Sequence, residues 1–213
     1  MVTFRHLSIF ILLVSAMSPA KATEELTYSV LHAEDAFEIR QYDPYIEAYV
    51  EVPLNNRSQR SGSAFRLLAG YIFGNNIRRQ KIAMTAPVIN TVINQDANDQ
   101  DQPLPSSRTL ETPTHYRMAF SMPAEMSWDD MPKPGNDQVK LQQVQGHLKA
   151  AVRYSGNRSR SVDQKSELAL LSWLSKQTDF QIKQGPYYAG YDSPWTPANK
   201  RRNEVMYILE RVK

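Results

Sequence analysis

From Gly190 to Leu209 the chain reads GYDSPWTPANKRRNEVMYIL, its densest run of groups able to do chemistry. Pro194 and Pro197 bracket Trp195, and the cations Lys200, Arg201 and Arg202 follow. Each proline fixes a backbone angle, so the loop can hold a large ring in place at small entropic cost. An aromatic ring beside cations suits a flat, apolar ligand with an acidic edge. Glu204 comes next. It is either a counter-ion inside a cleft or a salt-bridge partner of Arg201 or Arg202 that fixes the loop. The second reading is favoured, because a buried carboxylate is costly unless paired.

Catalytic chemistry has little support. His6, His32, His115 and His147 lie far apart, with no HExxH or close His-x-His spacing. Zinc needs three or four converging ligands, so no histidine metal site is expected. The chain has no cysteine, which excludes disulfides, thiolate metal sites and a cysteine nucleophile. There is no GxSxG elbow, Walker loop or GxGxxG. Asp129 and Asp130 are adjacent, and neighbours in an extended chain point apart. With no nucleophile–base pair, a non-enzyme is expected.

The elements that position the loop can be read from the pattern. The 213 residues are 41% hydrophobic and 22% charged, as in one domain or a compact pair of half-domains. Residues 1–22 stand apart. Arg5 and His6 precede an apolar run from Leu7 to Met17, and Ala20-Lys21-Ala22 resembles a leader cleavage site. That run is too short for a membrane span, which needs roughly 20 residues. The expectation is an exported protein, in a bacterial periplasm, with a mature domain over 23–213 and no stable membrane insertion. Losing Arg5 and Lys21 takes the 25 cations to 23 against 22 anions, so the charge gives no reason to expect nucleic acid. Asn56-Arg57-Ser58 and Asn157-Arg158-Ser159 match the glycosylation pattern, which matters only in a eukaryotic secretory route.

Phe37 to Val52 reads as extended, bent or placed at an edge by Asp43-Pro44. Within it Ile46, Ala48, Val50 and Val52 alternate with Tyr45, Glu47, Tyr49 and Glu51. Ser63 to Phe73 predicts a helix capped by Ser61 or Ser63 and ended by Gly74, with Phe65, Leu68, Ala69 and Ile72 on one face. Ile82 to Val92 predicts a strand, and Pro87 in it predicts an edge or a bulge. Asn94 to Thr114 is a polar insert, and Tyr116 to Met122 an alternating strand. Val139 to Tyr154 reads as extended. Ser161 to Gln177 predicts a helix with Leu168, Leu171 and Leu174 along one side. Phe180 to Tyr191 and Glu204 to Arg211 read as strands. Both halves, about 35–122 and 139–211, run strand, helix, strand, strand. The expected fold is α+β: duplicated halves forming a distorted antiparallel β-barrel with two main helices. A cleft between the halves is the default ligand site.

Three stretches carry a resemblance: FRLLAGYIFGNN from Phe65 to Asn76, KIAMTAPV from Lys81 to Val88, and YDSPWTPANKRRNEV from Tyr191 to Val205. Together with FEIRQY from Phe37 to Tyr42, they resemble the SOUL haem-binding family over essentially the whole mature chain. The resemblance implies non-covalent binding of haem or a related tetrapyrrole, without catalysis, as carrier or buffer. It places the pocket between the first helix and the loop before the last strand. The implied apolar wall is Phe65, Leu68, Ala69, Ile72, Met84, Tyr191, Pro194, Trp195 and Pro197. Arg201 and Arg202 are the implied rim cations for the propionates, with Arg78 and Arg79 as further cations after the helix. A basic residue that some members carry on the first helix is Gly70 here, and a usual tryptophan is Met206. No histidine falls in these motifs, so weak or absent axial ligation is expected. The alternatives are a binder of other lipophilic molecules, cations among them, with Glu204 as counter-ion; a hydrolase using a pocket carboxylate; and an interaction module using the Asn94–Thr114 insert.

Overall fold

The computed structural model describes residues 23–54, 60–93 and 113–212. The predicted leader, the loop around Asn56 and most of the Asn94–Thr114 insert lie outside the described residues.

Eleven strands and two helices are described. They are β1 (Glu24–Glu25), β2 (Tyr28–Glu34), β3 (Phe37–Tyr42), β4 (Tyr45–Pro53), α1 (Arg60–Ile72), β5 (Thr85–Ala86), β6 (Val88–Ile93) and β7 (His115–Ser121). After them come β8 (Lys140–Val144), β9 (Leu148–Ser155), α2 (Arg160–Leu174), β10 (Phe180–Gly190) and β11 (Arg202–Arg211). Nine strands form one antiparallel sheet in the order β2-β3-β9-β11-β10-β6-β7-β4-β8, while β1 pairs with β5. The runs β4-α1-β5-β6-β7 and β9-α2-β10-β11 each place a helix after a first strand, and they meet along β6 and β10.

Chain connectivity curls this sheet. Strands β3 and β4 lie six strand spacings apart, about 29 Å if the sheet were flat. Yet only Asp43 and Pro44 separate them, a link that spans about 10 Å at most. Gln145 to His147 make the equivalent link from β8 to β9. The two links touch: the Tyr42 amide donates to the His147 carbonyl at 3.0 Å. A Cβ on Gly146 would come within 2.7 Å of the Tyr42 carbonyl oxygen, so this approach requires glycine. The expected barrel is not closed, however. Among the described residues no ladder joins β2 to β8, because the links draw the halves together only at the joined strand ends. An open cleft remains between them.

Alternation decides which side chains face the cleft. Ala48, Val50 and Val52 of β4, with Met118 and Phe120 of β7, turn outward beneath Ala64, Leu68, Tyr71 and Ile72 of α1. Ala150, Val152, Val205, Tyr207 and Leu209 form the matching layer beneath Leu170, Trp173 and Leu174 of α2. Helix α1 ends with Gly74 in the left-handed region at φ 109°. The Asn75 amide bonds back to the Gly70 carbonyl at 2.8 Å and the Gly74 amide to the Tyr71 carbonyl, which closes the last turn.

Several sequence expectations are corrected. The Ile82–Val92 strand is two pieces separated at Pro87, whose ring nitrogen has no proton to give a ladder. Strand β6 is central, between β10 and β7, so Pro87 marks neither an edge nor a bulge. Val139 to Tyr154 splits into β8 and β9, which serve different halves. Helix α1 already includes Ser61 and Ser63, so neither caps it. Helix α2 starts at Arg160, and Ser159 rather than Ser161 caps it by accepting from the Val162 amide. Leu168 is exposed, and the face that packs inward is Leu170, Trp173 and Leu174.

Candidate ligand-binding site

The predicted site residues divide between the two faces of the sheet. On the outer face α1 covers β4 and β7, and α2 covers β9 and β11. A strip over β6 and the adjoining end of β10 lies between the helices. Phe65 borders it from α1, 44% exposed, with its ring edge-on to Phe120 at 5.7 Å. Cross-strand register then runs from Phe120 to Val88 to Gly190. Gly190 adds no side chain, so the floor stays flat. A Cβ there would meet only the Arg158 guanidinium, at 3.9 Å. Arg158 borders the strip from the α2 side. Its guanidinium lies 5.7 Å from the Tyr188 ring centre and 3.4 Å from Asp163, and its Nε is buried without a partner.

Of the other predicted wall residues, Leu68 and Ile72 belong to the core beneath α1, at 0% and 2% exposure. Ala69 is half-buried, and Met84 is exposed on the segment leading to β5. Trp195 is 90% exposed, and Pro194 and Pro197 beside it are exposed too. Arg201 holds this loop in shape. It donates to the Thr196 carbonyl (2.8 Å), the Pro194 carbonyl (2.5 Å) and the Asn157 side chain (2.9 Å), pinning the loop beside Arg158. Arg202 bonds Glu25 and stacks on the Tyr191 ring at 3.5 Å. Both predicted rim cations therefore have protein partners. Arg78 donates to the backbone carbonyls of Asp129 and Asp130, and Arg79 is exposed.

Tyr191 points to the opposite face. Its hydroxyl donates to Glu204 at 2.7 Å, away from Phe65 and Trp195. Glu204 is 1% exposed and pairs with Arg40, through two hydrogen bonds of 2.7 and 3.0 Å. The sequence expectation of an Arg201 or Arg202 partner is corrected. Arg40 comes from a strand 164 residues earlier, and no local pattern signals it. Burial pushes the Glu204 carboxyl up, but the Arg40 contacts outweigh it and hold the group below the usual carboxylate range. Burial also raises the Tyr191 phenol well above its ordinary value, and Glu204 adds to this.

Further along the same inner face is a cavity of about 470 Å³ between the halves. Glu47 lines it, held by Arg117 at 2.7 Å and Gln142 at 2.6 Å. Lys149, His147, Tyr45 and Tyr187 line it as well. Local patterns in the sequence point to a cleft but to none of these residues as its lining. Glu47 read only as the polar half of a strand alternation, and Lys149 carried no signal at all. Among the described residues no group of three or more His, Asp or Glu side chains could hold a metal ion.

Comparison with known proteins places this geometry. The sequence model of the SOUL heme-binding protein family matches residues 23–208. The chain belongs to the SOUL haem-binding family. Human "Heme-binding protein 2" is 29% identical over 174 residues, which is 81% of this chain and 78% of the human protein. By fold, the chain is similar to the C-terminal domain of EcmrR, with a TM-score of 0.54 and 10% identity, covering 87% of this chain and 99% of that domain. It is also similar to a Listeria innocua protein described as a hydrolase, with a TM-score of 0.55 and 9% identity over 84% of this chain and 94% of the other. At such identities these two likenesses concern the fold alone.

Proposed function

We propose that this SOUL family member binds haem or a related tetrapyrrole non-covalently, as an exported carrier or buffer, and that the ligand lies on the outer strip between the helices. The observation that carries the placement is the meeting of apolar surface with the Arg158 guanidinium, whose one carboxylate contact, to Asp163, is long at 3.4 Å. Phe65, Val88 and the bare backbone of Gly190 offer a flat apolar floor, and Trp195 stands exposed on a loop pinned beside Arg158. A macrocycle would bury apolar area against this floor, roughly 25 cal/mol per Å². The Arg158 guanidinium would take a propionate, since guanidinium and carboxylate are geometrically matched. This replaces the expected Arg201 and Arg202 contacts: Arg201 pins the loop, and Arg202 pairs with Glu25 and stacks on Tyr191.

The described residues fit such a group by shape and charge, and among them no histidine lies at the strip to ligate its iron. His147 lies on the inner face, His32 stacks 5.8 Å from Trp173, and His115 bonds Thr114 at the start of β7. A bound haem would supply only iron and a conjugated ring; the protein's part is to hold that ring and shield one face. The family's haem-binding character supports a non-enzymatic role, as does the engagement of Glu204 and Glu47, the buried carboxylates a hydrolase would need, in ion pairs. Export remains part of the proposal: the family match begins at residue 23, directly after the predicted leader.

A hemin titration of residues 23–213, followed by the Soret band and tryptophan quenching, tests the proposal. Saturable one-to-one binding, weakened by Phe65→Ala, Trp195→Ala and Arg158→Gln but not by Met84→Ala alone, is expected. A response that never saturates, or that ignores all three substitutions, would remove the outer strip as the site.

A further inference from the structure

The inner cavity holds chemistry that the outer strip does not use. Lys149 is 3% exposed and lines that cavity. Its ammonium has no hydrogen bond and no carboxylate within ion-pair range among the described residues. Its neighbours are the aromatic rings of Tyr42, Tyr45 and Tyr187, at 4.7, 5.7 and 5.9 Å from the ring centres. A buried charge without a paired partner is costly. The one carboxylate lining the cavity, Glu47, already accepts from Arg117 and Gln142. Lys183, also in the lining, adds a second ammonium. Glu47 and Glu204 attract Lys149 only from beyond ion-pair range, and with Lys183 and Arg117 the cavity lining carries net positive charge.

A second atom is also unsatisfied. His147 Nδ1 lies 2.7 Å from the Gln145 carbonyl oxygen, so Nδ1 carries the proton and donates. Its Nε2 is buried and has no partner. Lys149 and His147 are two residues apart, and both line the same cavity.

We infer that the cavity between the halves is a second ligand site, separate from the outer strip, for a small organic carboxylate with a flat apolar body. Lys149 anchors the carboxylate, and Tyr45 and Tyr187 with Ile89 and Ile208 enclose its body, beside the His147 ring. The volume lies in the range of pockets for drug-sized molecules. Charge selects the class: an ammonium ligand would meet Lys149 and Lys183 with Glu47 already engaged.

Calorimetric titration with 1-naphthoate, 1-naphthalenemethanol and 1-naphthylmethylammonium tests this on the chain over 23–213. Naphthoate is expected to bind one-to-one, at least ten-fold tighter than the alcohol or the ammonium compound. Lys149→Met, similar in shape and uncharged, should weaken naphthoate at least ten-fold and leave hemin binding intact. Phe65→Ala should do the reverse. In the wild-type protein the His147 ring signals should move on adding naphthoate, a readout that does not depend on how any variant folds. Equal or tighter binding of the ammonium compound would overturn the inference, as would no saturable binding or a static His147 signal. Naphthoate binding unchanged in a folded Lys149→Met protein would also overturn it.

Discussion

The two faces of the one sheet are stabilised by opposite means. The outer face buries apolar side chains under helices, with Val50, Leu68, Val205 and Leu170 fully enclosed. The inner face buries charges: Arg40 with Glu204, Arg117 with Glu47, and Lys149 with no carboxylate partner. Burial of apolar area stabilises with little regard to direction. A buried charge stabilises nothing unless its partner arrives at the right distance. The outer face can therefore accept small repacking, whereas the inner face should fail sharply when one member of a pair is removed.

The largest effect should come from Arg40→Met. It leaves the Glu204 carboxylate buried with its main partner gone and should cost about 3–5 kcal/mol, read from urea unfolding. Arg40→Met combined with Glu204→Leu should recover most of that loss, because no orphan charge remains. If the double variant is as unstable as the single one, the pair is not what holds the inner face.

Lys149→Met should act in the other direction. Burial lowers the Lys149 pKa from 10.5 to about 8, so at pH 7 the folded protein holds an ammonium against its preference. Replacing it should stabilise by about 1–3 kcal/mol. Between pH 8 and 10.5 the unfolded chain holds this proton while the folded chain has released it. Wild-type stability should thus rise with pH across that window relative to Lys149→Met, and the gap between the two should close. A gap that stays constant with pH would show that the ammonium is not destabilised by its site.

His147 provides an acid counterpart. Burial, followed by the neighbouring Lys149 charge, lowers its pKa from 6.5 to about 4. Below pH 6.5 the unfolded chain takes up a proton that the folded chain refuses, so stability should fall as pH drops from 6.5 toward 4. His147→Leu should flatten that slope in thermal melts recorded across the window. On the outer face, Ser159→Ala removes the cap of α2 and should cost about 1 kcal/mol. Trp195→Ala should change stability by less than about 0.5 kcal/mol, because the ring is exposed, while still weakening hemin. A large stability loss there would place Trp195 in the fold rather than in the binding strip.

The sequence by itself determined the outer face. The alternation in β4, β7 and β11 and the helical spacing of Leu68 and Ile72 each depend on neighbours within a few residues, so periodicity exposes them. It also determined the end of α1, because Gly74 is the residue that accepts the left-handed turn, and the family, through motifs contiguous in the chain. Only the tertiary structure decided the rest. Strand β2 went unread, since its side chains are mostly exposed and carry no apolar face. The swap of β3 and β8 between the halves turns two short links into crossings, and nothing local at Asp43-Pro44 or Gly146 says which strand each will join. The inner pairs join residues far apart in sequence, Arg40 with Glu204 and Glu47 with Arg117. Electrostatic partners are chosen by distance in space, and spacing along the chain carries no record of it.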